Sequence, residues 1–167
     1  MEAGKEWRQN VQHIDQDDAK WSSAVMGKAD QTIGKNGSAL CAIVMAMIAN
    51  GLKINGEAPT PASLNEWIKA NKAYSPRGDI KWELLEPLGL KHEGQCGVAT
   101  IKENINKGKI CICKIPHPAG GVAAHYALGT KYLSGKIHFE DSGKTDRKDL
   151  MDTEVKNAEV FVVTGAH

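Results

Sequence analysis

Apolar and polar positions follow two rhythms along this chain, one helical and one strand-like, and the change falls near Lys109. In the helical part, "DDAKWSSAVMG" (17–27) predicts a short helix closed by Gly27. "SALCAIVMAMIANG" (38–51) is apolar nearly all round and predicts a buried helix ending at Gly51. "TPASLNEWIKA" (60–70) places Thr60 as N-cap and Pro61 at the first helical position. "DIKWELLEPLG" (79–89) predicts a helix capped by Asp79, and "TIKENINKG" (100–108) has Thr100 and Glu103 at capping-box spacing. In the strand-like part, "KICICKI" (109–115) reads as a strand. "AAHYALGTKYL" (123–133) and "KIHFED" (136–141) form two strands around the turn "SG", and "AEVFVVTG" (158–165) is a final strand. Helices first and an antiparallel sheet last is the pattern of an α+β fold. Neither repeats nor low-complexity runs break it, so residues 1–167 are expected to form one domain, with 1–12 flexible or a short helix.

Charge narrows the function classes. Lys plus Arg number 21 and Asp plus Glu 20, a formal net charge of +1, which points to neither nucleic acid nor an anionic membrane as a partner. No apolar run approaches the ~18 residues of a membrane span. The polar start "MEAGKEWRQNVQHIDQDDAKW" does not read as a secretory signal. The expectation is synthesis in the cytoplasm without a signal peptide, with release by lysis or delivery by a secretion or phage apparatus. Cys41, Cys96, Cys111 and Cys113 form no CxxC pair, and no ligand spacing suggests a metal or other cofactor. Cys111 and Cys113 are two apart, so in a strand they share a face. Buried thiols, not disulfides, are expected.

The stretch "TIGKNGSALCAIVMAMIANG" (32–51) carries the first chemical signal. A glycine-rich turn leads straight into a helix, and a helix N-terminus favours an anionic nucleophile through its dipole and free N–H groups. Ser38 occupies that junction, behind Gly34 and Gly37. Cys41, three residues on, falls on the buried face and reads as core. From the helix alone, a plain N-cap is the better reading of Ser38. For a base, His125 begins a strand after a glycine-rich loop, and Asp141 ends the next strand sixteen residues later. Antiparallel pairing brings the start of one strand beside the end of the other, so His125 and Asp141 can be neighbours, a pairing that fixes a histidine tautomer. His138 lies mid-strand, His117 lies between prolines, and His13, His92 and His167 lie in weakly patterned or terminal segments.

These residues together resemble a known family. Gln-x-Asp-x-x-Trp, a Gly, "TIG" and then Gly-Cys before an apolar helix resembles the papain-like cysteine peptidases of the bacteriocin-leader-processing type, above all their phage- and prophage-associated branch. The chain offers "QDDAKW" from Gln16, "MG", "TIGKNGSALCAIVMAMIANG", "PTPASLNEWI", and then "INKGKICICKI" and "AAHYALGTKYLSGKIHFEDSG" in the same order, over roughly residues 12 to 165. The resemblance implies a papain-like α+β fold, with the nucleophile helix of an N-terminal helical part packed on the C-terminal antiparallel sheet. It implies Cys, His and Asp in that order, and a Gln amide that supports the oxyanion. On that reading position 38 attacks a carbonyl carbon, His125 moves the proton, Asp141 orients His125, and Gln16 donates to the oxyanion beside the N–H of residue 38. Gln31, seven residues before Ser38, is the alternative to Gln16.

One position departs from the family: its Gly-Cys is Gly37-Ser38 here. Three readings follow: an engineered Cys→Ser change that silences the enzyme, a natural pseudo-enzyme that keeps a peptide groove, or a working serine hydrolase. The otherwise intact site favours the first. The third is weakest, because a hydroxyl has a far higher pKa than a thiol. The expected substrate is an amide in a peptidoglycan-type cell-wall peptide. A host or self protein segment is the alternative, a non-catalytic peptide-binding module a further one, and an inhibitor or immunity protein a possible partner. Trp21, Trp67 and Trp82 read as core, while "PHPAGG" (116–121) is placed to line the groove.

Overall fold

The structure, a computed structural model, describes residues 3–118, 120, 124–143 and 147–164, with side chains from Trp7 onward. Its centre is β2 (Ile110–Ile115), apolar at every position but Lys114 because both faces are covered. Ile110 and Ile112 join the core on one face of the sheet, and Cys111, Cys113 and Ile115 join a second core on the other. The six strands run in the order β1 (Leu90–Cys96), β6 (Asn157–Val163), β2, β3 (His125–Leu133), β4 (Lys136–Glu140) and β5 (Asp149–Met151). Every neighbouring pair is antiparallel.

The larger core holds the helices. A single turn, α1 (Ile33–Asn36), leads into α2 (Ser38–Ala49), in which nine of twelve residues are buried. Fully burying one large apolar side chain contributes about 1.5–3 kcal/mol, so α2 is the main apolar element laid on β2 and β3. α3 (Pro61–Ala70) begins as its sequence predicts: Ser63 N–H donates to Thr60 Oγ1 at 3.0 Å and Thr60 N–H to Ser63 Oγ at 2.9 Å. On the opposite face, α4 (Val98–Asn106) buries Ile101 and Ile105 against Cys111 and Cys113. Among the described residues no helix is long and apolar enough to cross a membrane.

Several expected elements differ. Residues 17–27 form turns, not a helix closed by Gly27. Asp15 Oδ1 accepts from Asp17 N–H and Asp18 Oδ1 from Lys20 N–H, local bonds that compete with helix formation. Segment 79–89 is a 3-10 helix only over Trp82–Leu88, capped at Lys81 and not Asp79; Pro87 inside it supplies no N–H. α4 starts two residues before Thr100, with Gly97 as cap, so the Thr100/Glu103 box does not form. Of the two expectations for the N-terminal part, the short helix holds: Ala3–Asn10 are a 3-10 helix, with Trp7 buried and its Nε1–H donating to Gly108 O at 2.9 Å. The last strand ends at Val163, and Gly165 lies outside the described residues.

The junction before α2 is tight. Gly37 N–H donates to Ile33 O at 2.8 Å. A Cβ at Gly37 would lie 2.5 Å from that same oxygen and 2.9 Å from Ile33 Cγ2. Gly37→Ala is therefore expected to displace the turn that aims residue 38 and to cost about 1–3 kcal/mol, read as a lowered denaturant midpoint. An unchanged midpoint would show that the turn relaxes freely.

Candidate active site

Three elements bring the predicted residues together. Ser38 is the first residue of α2, where the helix N–H groups lack intrahelical partners. His125 opens β3 opposite Ile115 of β2. Asp141 follows the last residue of β4, and Glu140 pairs with Leu128 of β3, so the hairpin returns Asp141 to the start of β3. His125 Nε2 lies 2.7 Å from Asp141 Oδ1, with both residues about 3% exposed. Ser38 Oγ accepts the backbone N–H of Tyr126 at 3.2 Å, one residue from His125. A cleft of about 570 Å³ has both Ser38 and His125 on its wall.

The electrostatics of the pair follow from its partners. Burial alone would raise the Asp141 carboxyl. Hydrogen bonds from His125 and Gly143, with the charges of His125 and Arg147, outweigh burial and hold it below the usual carboxylate range. Gly143 N–H donates to Asp141 Oδ1 at 2.8 Å, and Arg147 Nη2 lies 3.6 Å from Oδ2. An ionised Asp141 accepts only, so it fixes the proton on His125 Nε2 and leaves Nδ1 as the basic nitrogen. His117 packs edge-on against His125, ring centroids 5.1 Å apart, and also lines the cleft. Thus the proline-flanked loop reaches the groove at His117, while residues 119 and 121 of "PHPAGG" lie outside the described residues, as does His167.

The two glutamines divide. Gln16 is buried, its Nε2–H donates to Gly34 O at 3.0 Å, and its Oε1 accepts from Ser142 Oγ at 2.8 Å. A backbone bond from Gln16 N–H to Ser142 O at 3.0 Å completes the brace. Gln16 therefore ties the turn before Ser38 to the residue after Asp141 and stands behind the cleft wall. Gln31 stands on that wall. Its Oε1 is shielded from solvent and has no hydrogen-bond partner among the described residues.

Cys41 is fully buried, and burial pushes its thiol up to about 12. Burial likewise pushes Cys113 up to about 12 and Cys111 well above its ordinary value. Only Cys96 is half-exposed. A disulfide exchange reagent at neutral pH is expected to find one fast thiol of the four, lost in Cys96→Ser. A second fast equivalent would show that one of the strand or helix thiols opens to solvent.

Sequence reading also missed part of the cleft. Glu159 is a buried carboxylate inside the apolar run of β6, held by His92 and Gln95 of β1. The signal was there: one charge in "AEVFVV". Trp82, expected as core, packs on the core and also lines the cleft. Among the described residues no cluster of His, Cys, Asp or Glu is placed to hold a metal ion. Comparison with protein-family models, curated proteins and solved structures finds no match.

Proposed function

We propose that this cleft is the active site of a papain-type peptidase or amidase, in which Ser38 stands where the active enzyme carries Cys. The observation that carries the reading is the junction of a helix N-terminus, a buried His125–Asp141 pair and a shared cleft. With a thiol at 38, the proton passes to His125 Nδ1 and the sulfur attacks the amide carbon. The oxyanion is stabilised by the N–H of residue 38 and by a side-chain amide, for which Gln31 has the cleft-wall position and Gln16 the bracing one. The imidazolium then protonates the leaving amine, and water releases the acyl group through the same base.

The hydroxyl form is silent because the site is built for a thiolate–imidazolium pair. That an otherwise complete set surrounds Ser38 supports an engineered replacement. The hydrogen bond from Tyr126 N–H to Ser38 Oγ favours the second reading, a native peptide-binding module. Cell-wall peptide crosslinks are the substrate class, ahead of a host or self protein segment, on the strength of the phage-branch resemblance. The test is turbidity loss of purified sacculi from several bacterial and archaeal types, with Ser38→Cys against the chain as given. Clearing by the Cys form alone supports a silenced cell-wall enzyme. No clearing by either moves the reading to a protein substrate or a binding module.

A further inference from the structure

The cleft wall holds a buried carboxylate that the chemistry above does not use. Glu159 is 6% exposed and lies in register between Gln95 of β1 and Ile112 of β2. Its Oε1 is 2.8 Å from His92 Nε2, and its Oε2 accepts from Gln95 Nε2 at 3.0 Å. A chain of aromatic rings runs on from His92: His92 on Phe161 at 5.0 Å, Phe161 on Trp82 at 6.0 Å, Trp82 on Tyr126 at 5.8 Å. Glu159, Trp82 and Tyr126 all line the cleft that holds Ser38 and His125.

A buried carboxylate is ordinarily neutralised by a Lys or Arg. Glu159 has no such partner among the described residues, since its only ion-pair neighbour is His92. Lys35, Arg77 and Lys114 line the same cleft, yet none pairs with Glu159. The negative field reaches Tyr126: after burial, Glu159 and Asp79 push its phenol up. The cleft wall near position 38 thus carries a carboxylate that none of the neighbouring Lys or Arg side chains pairs, beside aromatic residues.

We propose that Glu159, with Trp82 and Tyr126, binds a primary ammonium of the substrate. This rests on the reading of the cleft as a peptide site and narrows its substrates to peptides that carry a free amine near the scissile carbonyl, on a lysine or diamino-acid side chain. An ammonium brings three donors and no acceptor, and a carboxylate already holding two donors keeps lone pairs for it. Aromatic faces add cation–π attraction. A guanidinium suits the site less, because its fork needs both carboxylate oxygens together, and His92 and Gln95 already occupy one each.

The test is calorimetric titration of the chain as it stands with an N-acetylated cell-wall stem peptide of the lysine type, against the same peptide with its side-chain amine acetylated. The free amine is expected to bind about tenfold more tightly, and Glu159→Gln to shrink that preference below about threefold. Near-ultraviolet circular dichroism checks the variant's fold. If Glu159→Gln does not fold, Trp82→Leu, which removes one of the proposed aromatic faces, is expected to lose about threefold of the preference. Equal binding of the two peptides, binding of neither, or a preference untouched by the variant that folds overturns the proposal. Titrating Ser38→Cys in parallel separates the two readings. A preference retained while that form cleaves neither peptide keeps the ammonium site and removes the peptidase. Cleavage of both peptides alike keeps the peptidase and removes the site.

Discussion

Ser38→Cys is expected to raise kcat/KM for a cleavable peptide by on the order of 10³-fold or more. The gain comes from acidity and position together. A free thiol has a pKa of about 8.5, and a helix N-terminus beside an imidazolium lowers it to about 3.5–7.5. Position 38 opens α2, its Oγ accepts the N–H of the residue after His125, and it shares the cleft wall with His125. Cys41, one turn further in, is buried with its thiol near 12. Alkylation by iodoacetamide gives the independent readout. The introduced thiol is expected to react at pH 6 nearly as fast as at pH 8. A thiol that stays unreactive near neutral pH would sink the enzyme reading whatever the substrate. Reaction of the unaltered chain with a fluorophosphonate at Ser38 would instead establish a serine hydrolase.

Asp141→Ala in the Ser38→Cys background is expected to lower kcat/KM by on the order of 10³–10⁴-fold. It is also expected to destabilise the fold by about 3 kcal/mol, since His125 and Gly143 lose their shared acceptor and Arg147 its ion-pair partner. Asp141→Asn keeps an acceptor for His125 Nε2–H and is expected to recover much of the activity. Stability against pH separates charge from shape. The folded-state pKa of Asp141 is held low, so its contribution is present above the unfolded value of about 3.9 and is lost as pH falls through the lower folded value. The Asn variant is expected to lose that acid-side dependence while keeping the hydrogen bond. An Ala variant with full activity and an unchanged acid limb would remove Asp141 from the site.

What the sequence made legible was whatever one local rule decides. α2 and α3 could be read because their apolar run and the Thr60–Pro61 start are local signals. The His125–Asp141 approach could be read because two strands joined by a two-residue turn have one simple pairing. β1 could not, because "LKHEGQC" is mostly polar and Gly94, at φ +111°, sits at a bulge that breaks the alternation. The helix expected at 17–27 failed where aspartate side chains captured backbone N–H groups that a helix needs. The place of Gln16 is a tertiary fact: its partners, Gly34 and Ser142, lie on two separate segments, and no spacing near residue 16 encodes them.

The same irregular β1 has a colloidal consequence. β1 and β5 are the two rims of the sheet, the places where a second molecule can add a strand. β5 is only three residues long. β1 carries Lys91, His92 and Glu93 and is bent at Gly94, so it offers a neighbour no flat, uncharged ladder. The polarity that hides this strand from pattern reading is what keeps the rim from templating intermolecular cross-β growth, and concentrated solutions of the folded chain should resist fibril seeding for that reason.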